Sequence, residues 1–89
     1  MTSRTTERFR KAFQKLPLHV QRKASEAYRL WRQDHWHSSL QFKQVHDIKP
    51  IYSVRIGIGW RALGVKTDDT IVWFWIGSHA DYDNLLAQL

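Results

Sequence analysis

The sequence predicts an α+β domain: an N-terminal α-helical hairpin packed on a three- to four-stranded antiparallel sheet, followed by a short C-terminal helix. Three observations carry this prediction. Apolar residues recur at helical spacing from Phe9 to Trp31, alternate singly from Tyr52 to Ile58, and return to helical spacing between Tyr82 and Leu89. Leu16-Pro17-Leu18 splits the first helical stretch in two, because proline restricts the residue before it and does not continue a helix. Glycine, proline and paired aspartates punctuate the rest at intervals that suit short strands. The chain has 89 residues and shows no repeat, linker or low-complexity segment, so residues 1–89 are expected to form a single domain.

Phe9, Ala12, Phe13 and Leu16 lie on one face of the first helix, with Arg8, Arg10, Lys11 and Lys15 mostly off it. Thr5 or Thr6 can cap its N-terminus, where Glu7 meets the positive end of the helix dipole. The second helix runs from about Leu18 to Asp34, with Val20, Ala24, Ala27, Tyr28 and Trp31 as its apolar stripe. So short a connection predicts an antiparallel hairpin. A first strand is expected from Leu40 to about Asp47. In the next, Tyr52, Val54, Ile56 and Ile58 share one face while Ser53 and Arg55 take the other. Gly57 and Gly59 mark a turn or bulge, and Trp60 to Lys66 forms a further strand. Thr67-Asp68-Asp69-Thr70 is a turn. Ile71 to Ile76 is apolar on both faces, as a central or covered strand would be. Tyr82, Leu85, Leu86 and Leu89 mark the final helix, from Asp81 to Leu89.

The formal net charge is +6, which suggests a polyanionic or acidic partner, with a merely solvated basic surface as the alternative. The cations are unevenly placed: nine of the 14 lysines and arginines precede His35, and none follows Asp68. There is no cysteine, which excludes disulfides and thiolate zinc sites. The longest apolar run, Ile71 to Ile76, falls far short of the roughly 20 residues that cross a bilayer. No apolar leader segment is visible at the N-terminus, so a cytoplasmic protein without membrane contact is expected.

The order of these pieces resembles the RelE/ParE superfamily of toxins from bacterial type II toxin–antitoxin systems. The resemblance rests on Phe9-Arg10-Lys11-Ala12-Phe13-Gln14-Lys15-Leu16-Pro17, Ser39 to Val45, Tyr52-Ser53-Val54-Arg55-Ile56-Gly57, Trp60-Arg61-Ala62-Leu63, and Trp75-Ile76-Gly77-Ser78-His79-Ala80-Asp81-Tyr82-Asp83. It covers nearly the whole chain and is specific as a combination, not piece by piece. It implies a compact toxin with a helical hairpin on one face of a twisted sheet, neutralised by a cognate antitoxin that wraps around it. RelE-like members enter the ribosome and cut mRNA; ParE-like members poison DNA gyrase and are not nucleases. The family's N-terminal strand is not visible in Thr2 to Thr6, which are polar and few, so the edge of the sheet is left open.

Metal-free RNA cleavage needs a base for the 2′-hydroxyl, cations for the phosphoryl charge and an acid for the leaving 5′-oxygen. No cofactor or metal is expected. Arg61 matches the family's aromatic-Arg position, and a guanidinium can hold a phosphate through two parallel hydrogen bonds; its structural alternative is a pair with an aspartate. Arg55 avoids the core by alternation and is the second cation candidate. His79 ends the apolar strand and can transfer a proton near neutral pH, or simply cap the following helix. Tyr82, three residues on, can stack on a base or serve as core. Trp73 and Trp75, two apart, are expected on one face as a stacking platform or a packing surface. Lys43 and His46 should face opposite ways on a regular strand. His35 and His37 have the look of a metal pair but no third ligand. The paired strand arginines and His79 tilt the reading toward a ribosome-dependent mRNA endonuclease with Arg61, Arg55, His79 and Tyr82 as its site. A gyrase inhibitor, or a degenerate member that binds only antitoxin or nucleic acid, remain the alternatives.

Overall fold

The computed structural model describes all residues, 1–89. Five strands form one sheet in the order β1-β5-β4-β3-β2, with β1 at Thr2–Thr5, β2 at Lys43–Gln44, β3 at Ile51–Ile56, β4 at Trp60–Thr67 and β5 at Thr70–Ser78. Helices α1 (Glu7–Gln14) and α2 (Leu18–Gln33) cover one face, and α3 (His79–Gln88) packs on the other. No helix is long and apolar enough to cross a membrane.

The sheet has one strand more than the upper count expected from sequence, and it is mixed. β1 lies parallel to β5, in register from Thr2 opposite Thr70 to Thr5 opposite Trp73, while every other pair is antiparallel. Thr2 to Thr5 carry no apolar alternation because this is an edge strand whose hydrophobic neighbours come from elsewhere. Thr2 N–H donates to the Asp69 carbonyl at 2.8 Å and Thr6 N–H to the Trp73 carbonyl at 3.0 Å. The Trp73 indole N–H donates to Ser3 Oγ at 3.0 Å, so a polar residue on the edge satisfies a buried donor beneath it.

Thr6 then caps α1, accepting from Phe9 N–H at 3.0 Å. Pro17 ends the connection, and Gln21 Nε2 donates back to the Gln14 and Leu16 carbonyls at 3.2 and 2.9 Å, tying the hairpin together. Val20, Ala24 and Trp31 of α2 are buried, Trp31 almost completely. Trp31 meets Phe42 and Trp73 edge-on, with centroids 5.8 and 5.5 Å apart. This hairpin-side core also takes in Leu40, Val54, Ile56, Ala62, Ile71 and Ile76. A smaller core on the other face joins Ile51 and Leu63 to Tyr82, with Trp75, Leu85 and Leu86 at its margin.

Two expectations are corrected between β2 and β5. The first predicted strand shrinks to Lys43–Gln44, because Ser38–Leu40 form a 3₁₀ turn and His46 folds back onto its own loop. The His46 Nδ1 accepts from Ile48 and Lys49 N–H at 3.1 and 2.9 Å, which fixes the proton on Nε2, 3.1 Å from the Leu89 carbonyl. Trp73 and Trp75 do not share a face. Leu63 pairs with Trp75 and Gly64 with Trp73, so Phe74 is an extra residue and the strand bulges there. Trp73 therefore enters the hairpin-side core while Trp75 borders the α3-side core. Gly64 permits this: a Cβ at that position would lie 2.8 Å from Ile71 Cγ1 and 2.9 Å from Trp73 Cε3.

Candidate functional site: a buried arginine beneath the C-terminal helix

Strand alternation sends Arg55, Ser53 and Arg61 to the face opposite the helical hairpin. Arg55 and Arg61 sit directly across from each other in the β3–β4 ladder, and Arg61 has Gly77 as its neighbour on β5. Like charges directly opposite on a sheet repel, so this pairing costs stability unless an anion or solvent offsets it. Arg55 is half-buried and its Nε donates to the Gly57 carbonyl at 3.0 Å, which holds the side chain against the β3–β4 turn.

Arg61 is the least ordinary residue in the molecule. It is 8% exposed, yet no carboxylate lies within ion-pairing distance. Its Nη2 donates to Gln41 Oε1 at 2.8 Å, whereas Nε and Nη1 are buried and have no hydrogen-bond partner. Arginine stays protonated throughout the ordinary pH range, so the buried charge cannot be shed. Its guanidinium carbon lies 5.4 Å from the Tyr82 ring centroid, and the ring's negative face offsets part of the cost.

Tyr82 arrives from α3. Ser78 caps this helix by accepting from Asp81 N–H at 3.1 Å, and His79 N–H donates to the Gly59 carbonyl at 2.8 Å, so the helix starts against the β3–β4 turn. That start places Tyr82 one turn in and buried, with its hydroxyl 3.3 Å from Ser53 Oγ, to which it donates. Ser53 is itself fully buried. His79 is exposed beside it: the imidazole centroid is 5.6 Å from the Tyr82 ring, and Nε2 is 3.5 Å from Asp83 Oδ2. The fold thus brings Arg55, Arg61, Tyr82 and His79 onto one face. The Arg61–aspartate pair that was the structural alternative is absent, and Tyr82 is buried in the α3-side core.

Chemically the cluster offers uncompensated guanidinium charge in a poorly solvated setting, where its attraction for an anion is screened less than in water. A tyrosine hydroxyl and a carboxylate-paired imidazole stand next to it. Lys43, opposite Ser53 on β2, is exposed, and His46 is spent on its own loop. His35 Nδ1–H donates to the Trp31 carbonyl, and His37 Nδ1 accepts from Ser39, so each histidine of that pair serves local structure. No group of three histidine, cysteine, aspartate or glutamate side chains is placed to hold a metal. Sequence reasoning missed Gln41 and Asp83. Asp83 lies one helical turn after His79 and was legible from that spacing; nothing in the local sequence around Gln41 points to Arg61, twenty residues on.

The arrangement is an α+β fold with a helical hairpin on one face of its sheet and a basic cluster under a C-terminal helix on the other. The ParE-like toxin domain matches residues 18–84, and the chain belongs to that family, within the RelE/ParE superfamily of toxin–antitoxin systems. No curated protein sequence matches the chain. Among solved structures it is similar to the toxin in a RelB–RelE antitoxin–toxin complex from Methanococcus jannaschii, with 14% identity over 92% of this chain and 96% of that one, and a TM-score of 0.73. It is also similar to YafQ from E. coli strain BL21(DE3), with 15% identity, 90% and 94% coverage and a TM-score of 0.68. The isolated E. coli RelE toxin matches over 99% and 98% of the two chains at 13% identity, with a TM-score of 0.67. At such identities the likeness is one of fold.

Proposed function

We propose that this toxin is a metal-independent endoribonuclease that cuts mRNA on the ribosome, with Arg61 as its phosphate-stabilising residue. The observation that carries the reading is the Arg61 guanidinium, buried without a counter-ion and with two donors unused. Proteins rarely retain such a charge unless a ligand completes it. In this reading Arg61 and Arg55 stabilise charge on the phosphoryl group as the 2′-hydroxyl attacks it and the 5′-oxygen leaves. His79, whose Nε2 lies 3.5 Å from Asp83 Oδ2, takes the proton from the 2′-hydroxyl or gives one to the leaving 5′-oxygen. Tyr82 sits over the guanidinium in this structure, so the ring swings aside or slides when an anion enters.

The second reading, inhibition of DNA gyrase without cleavage, is favoured by the family match, which is to the ParE-like domain. One experiment separates them. Reporter mRNA from induced cells is mapped by primer extension beside an Arg61→Ala control. Cuts inside translated codons that vanish in the variant support the nuclease. Arrested growth with intact mRNA would move the assignment to gyrase.

The partner that restrains this toxin is, in the same reading, a cognate antitoxin, as in the RelB–RelE complexes that the fold resembles. An apolar cleft of about 670 Å³ opens between the helical hairpin and the sheet, floored by Val54, Ile56 and Ile76 and walled by Phe9, Phe13 and Trp31. Arg10 and Arg29 line it, and no acidic residue does. The Trp31 indole N–H has no partner in the chain. An amphipathic segment with acidic flanks fits this lining. Its affinity for the toxin should fall as salt rises, and Arg29→Glu should weaken it further.

A further inference from the structure

We propose that Gln41 is a positioning residue for Arg61, one that orients the guanidinium while leaving its positive charge free for an anionic ligand. This rests on the reading of Arg61 as a phosphate-binding group and adds a residue to it.

Gln41 is the only hydrogen-bond partner that the Arg61 side chain has, at 2.8 Å, and it reaches Arg61 from a separate part of the chain. The backbone is built to deliver it. Leu40 and Phe42, on either side, are buried at 2% and 6% exposure in the hairpin-side core. Gln41 between them is exposed and has φ 47° and ψ 42°, the left-handed region that glycine or asparagine usually fills. Its N–H closes the 3₁₀ turn onto the Ser38 carbonyl at 3.3 Å. A side chain held at such a backbone, between two core anchors, is aimed by the fold and not by local preference.

The chemical identity of the partner matters as much as its position. A buried arginine is ordinarily matched by a carboxylate, which neutralises it. Here the acceptor is a neutral amide, and the charge stays whole. Arg55 across the ladder adds to it, and neither Tyr82 nor Ser53 carries a charge to subtract. Of the two carboxylates on α3, that of Asp83 is engaged with His79, and neither lies within ion-pairing distance of Arg61. Gln41 therefore does for Arg61 what an aspartate could not: it fixes direction without cancelling attraction.

Stability and ligand affinity should consequently move in opposite directions at this position. Gln41→Glu supplies the missing counter-charge; it should raise Tm and weaken binding of a non-cleavable 2′-O-methyl RNA oligonucleotide by about tenfold or more. Gln41→Ala should lower that affinity a few-fold while Tm changes little. The gain in Tm from Gln41→Glu should disappear in an Arg61→Met background, which reads the pairing without any ligand. Inorganic phosphate serves as the second probe, to separate anion binding from RNA recognition. Binding that is lost in Arg61→Met but untouched by Gln41→Glu would overturn the role of Gln41 alone. That role is equally overturned if Gln41→Glu lowers Tm and affinity together, as substitution of a merely structural residue would. Wild-type protein that binds neither oligonucleotide nor phosphate would remove the anion-site reading, and the proposal with it.

Discussion

The two faces of the sheet solve opposite problems. On the hairpin side nearly every inward side chain is apolar, and aromatic rings of Trp31, Phe42 and Trp73 pack against one another; what is left over is space. On the α3 side the core is small, a tyrosine and an arginine take the place of aliphatic residues, and what is left over is charge. Apolar packing is thereby concentrated on one face and unpaired charge on the other. The sheet lets them be tuned separately, because alternation commits each residue to a single side.

That division can be broken by substitution. The largest effect should come from Trp31→Ala, which removes the central ring of the hairpin-side core and should cost about 3–5 kcal/mol of stability, read by chemical or thermal denaturation. If the loss is under about 1 kcal/mol, the hairpin is not what holds the fold together. Gly64→Ala comes next. Its Cβ would press on Ile71 and Trp73, so a cost of roughly 1–3 kcal/mol is expected at the bulge, with the α3 face unchanged. Arg61→Met should have the reverse sign: relieved of a buried unpaired charge, the protein should gain on the order of 1 kcal/mol while its growth inhibition disappears. A variant that unfolds instead would show that Arg61 is structural.

The smallest effect belongs to Tyr28, at the outer edge of the hairpin. Burial raises its phenol, but hydrogen bonds to Ser3 and Arg32 and the charge of Arg32 outweigh it, leaving the group below the ordinary tyrosine value. A phenol depressed in the folded state favours folding above its unfolded value, and that contribution fades as pH falls through the folded one. Ultraviolet titration should detect the lowered midpoint, and Arg32→Ala should move it back up.

How far the sequence could be read depended on whether its cause was local. Phe9 to Leu16 and Val20 to Trp31 carry full helical stripes, so both helices and the Pro17 break were legible. Arg55 was placed on the correct face by parity alone, whereas Arg61 was singled out by the resemblance. The strand at Thr2–Thr5 was not, because an edge strand can borrow its apolar surface from its neighbour and needs no pattern of its own. Trp73 and Trp75 were assigned one face because parity is lost at a bulge, although Gly64 inside a strand was the available sign. Of the candidate site, the charged and aromatic members were visible as residue types. Gln41 was not, since it follows a 3₁₀ turn while its partner lies on β4, and only the folded chain brings them together.

The parallel pairing of β1 with β5 has a kinetic side. β1 finds its partner only in β5, so its edge stays open while the strands between them in sequence are made. Contacts between such distant segments form late, after the loop-closure entropy has been met by the β3–β4–β5 hairpins. Arg61, His79 and Tyr82 also lie in the later part of the chain. A nascent toxin is therefore an incomplete one, and its charge cluster is assembled only when α3 has been made and brings Tyr82 to Arg61.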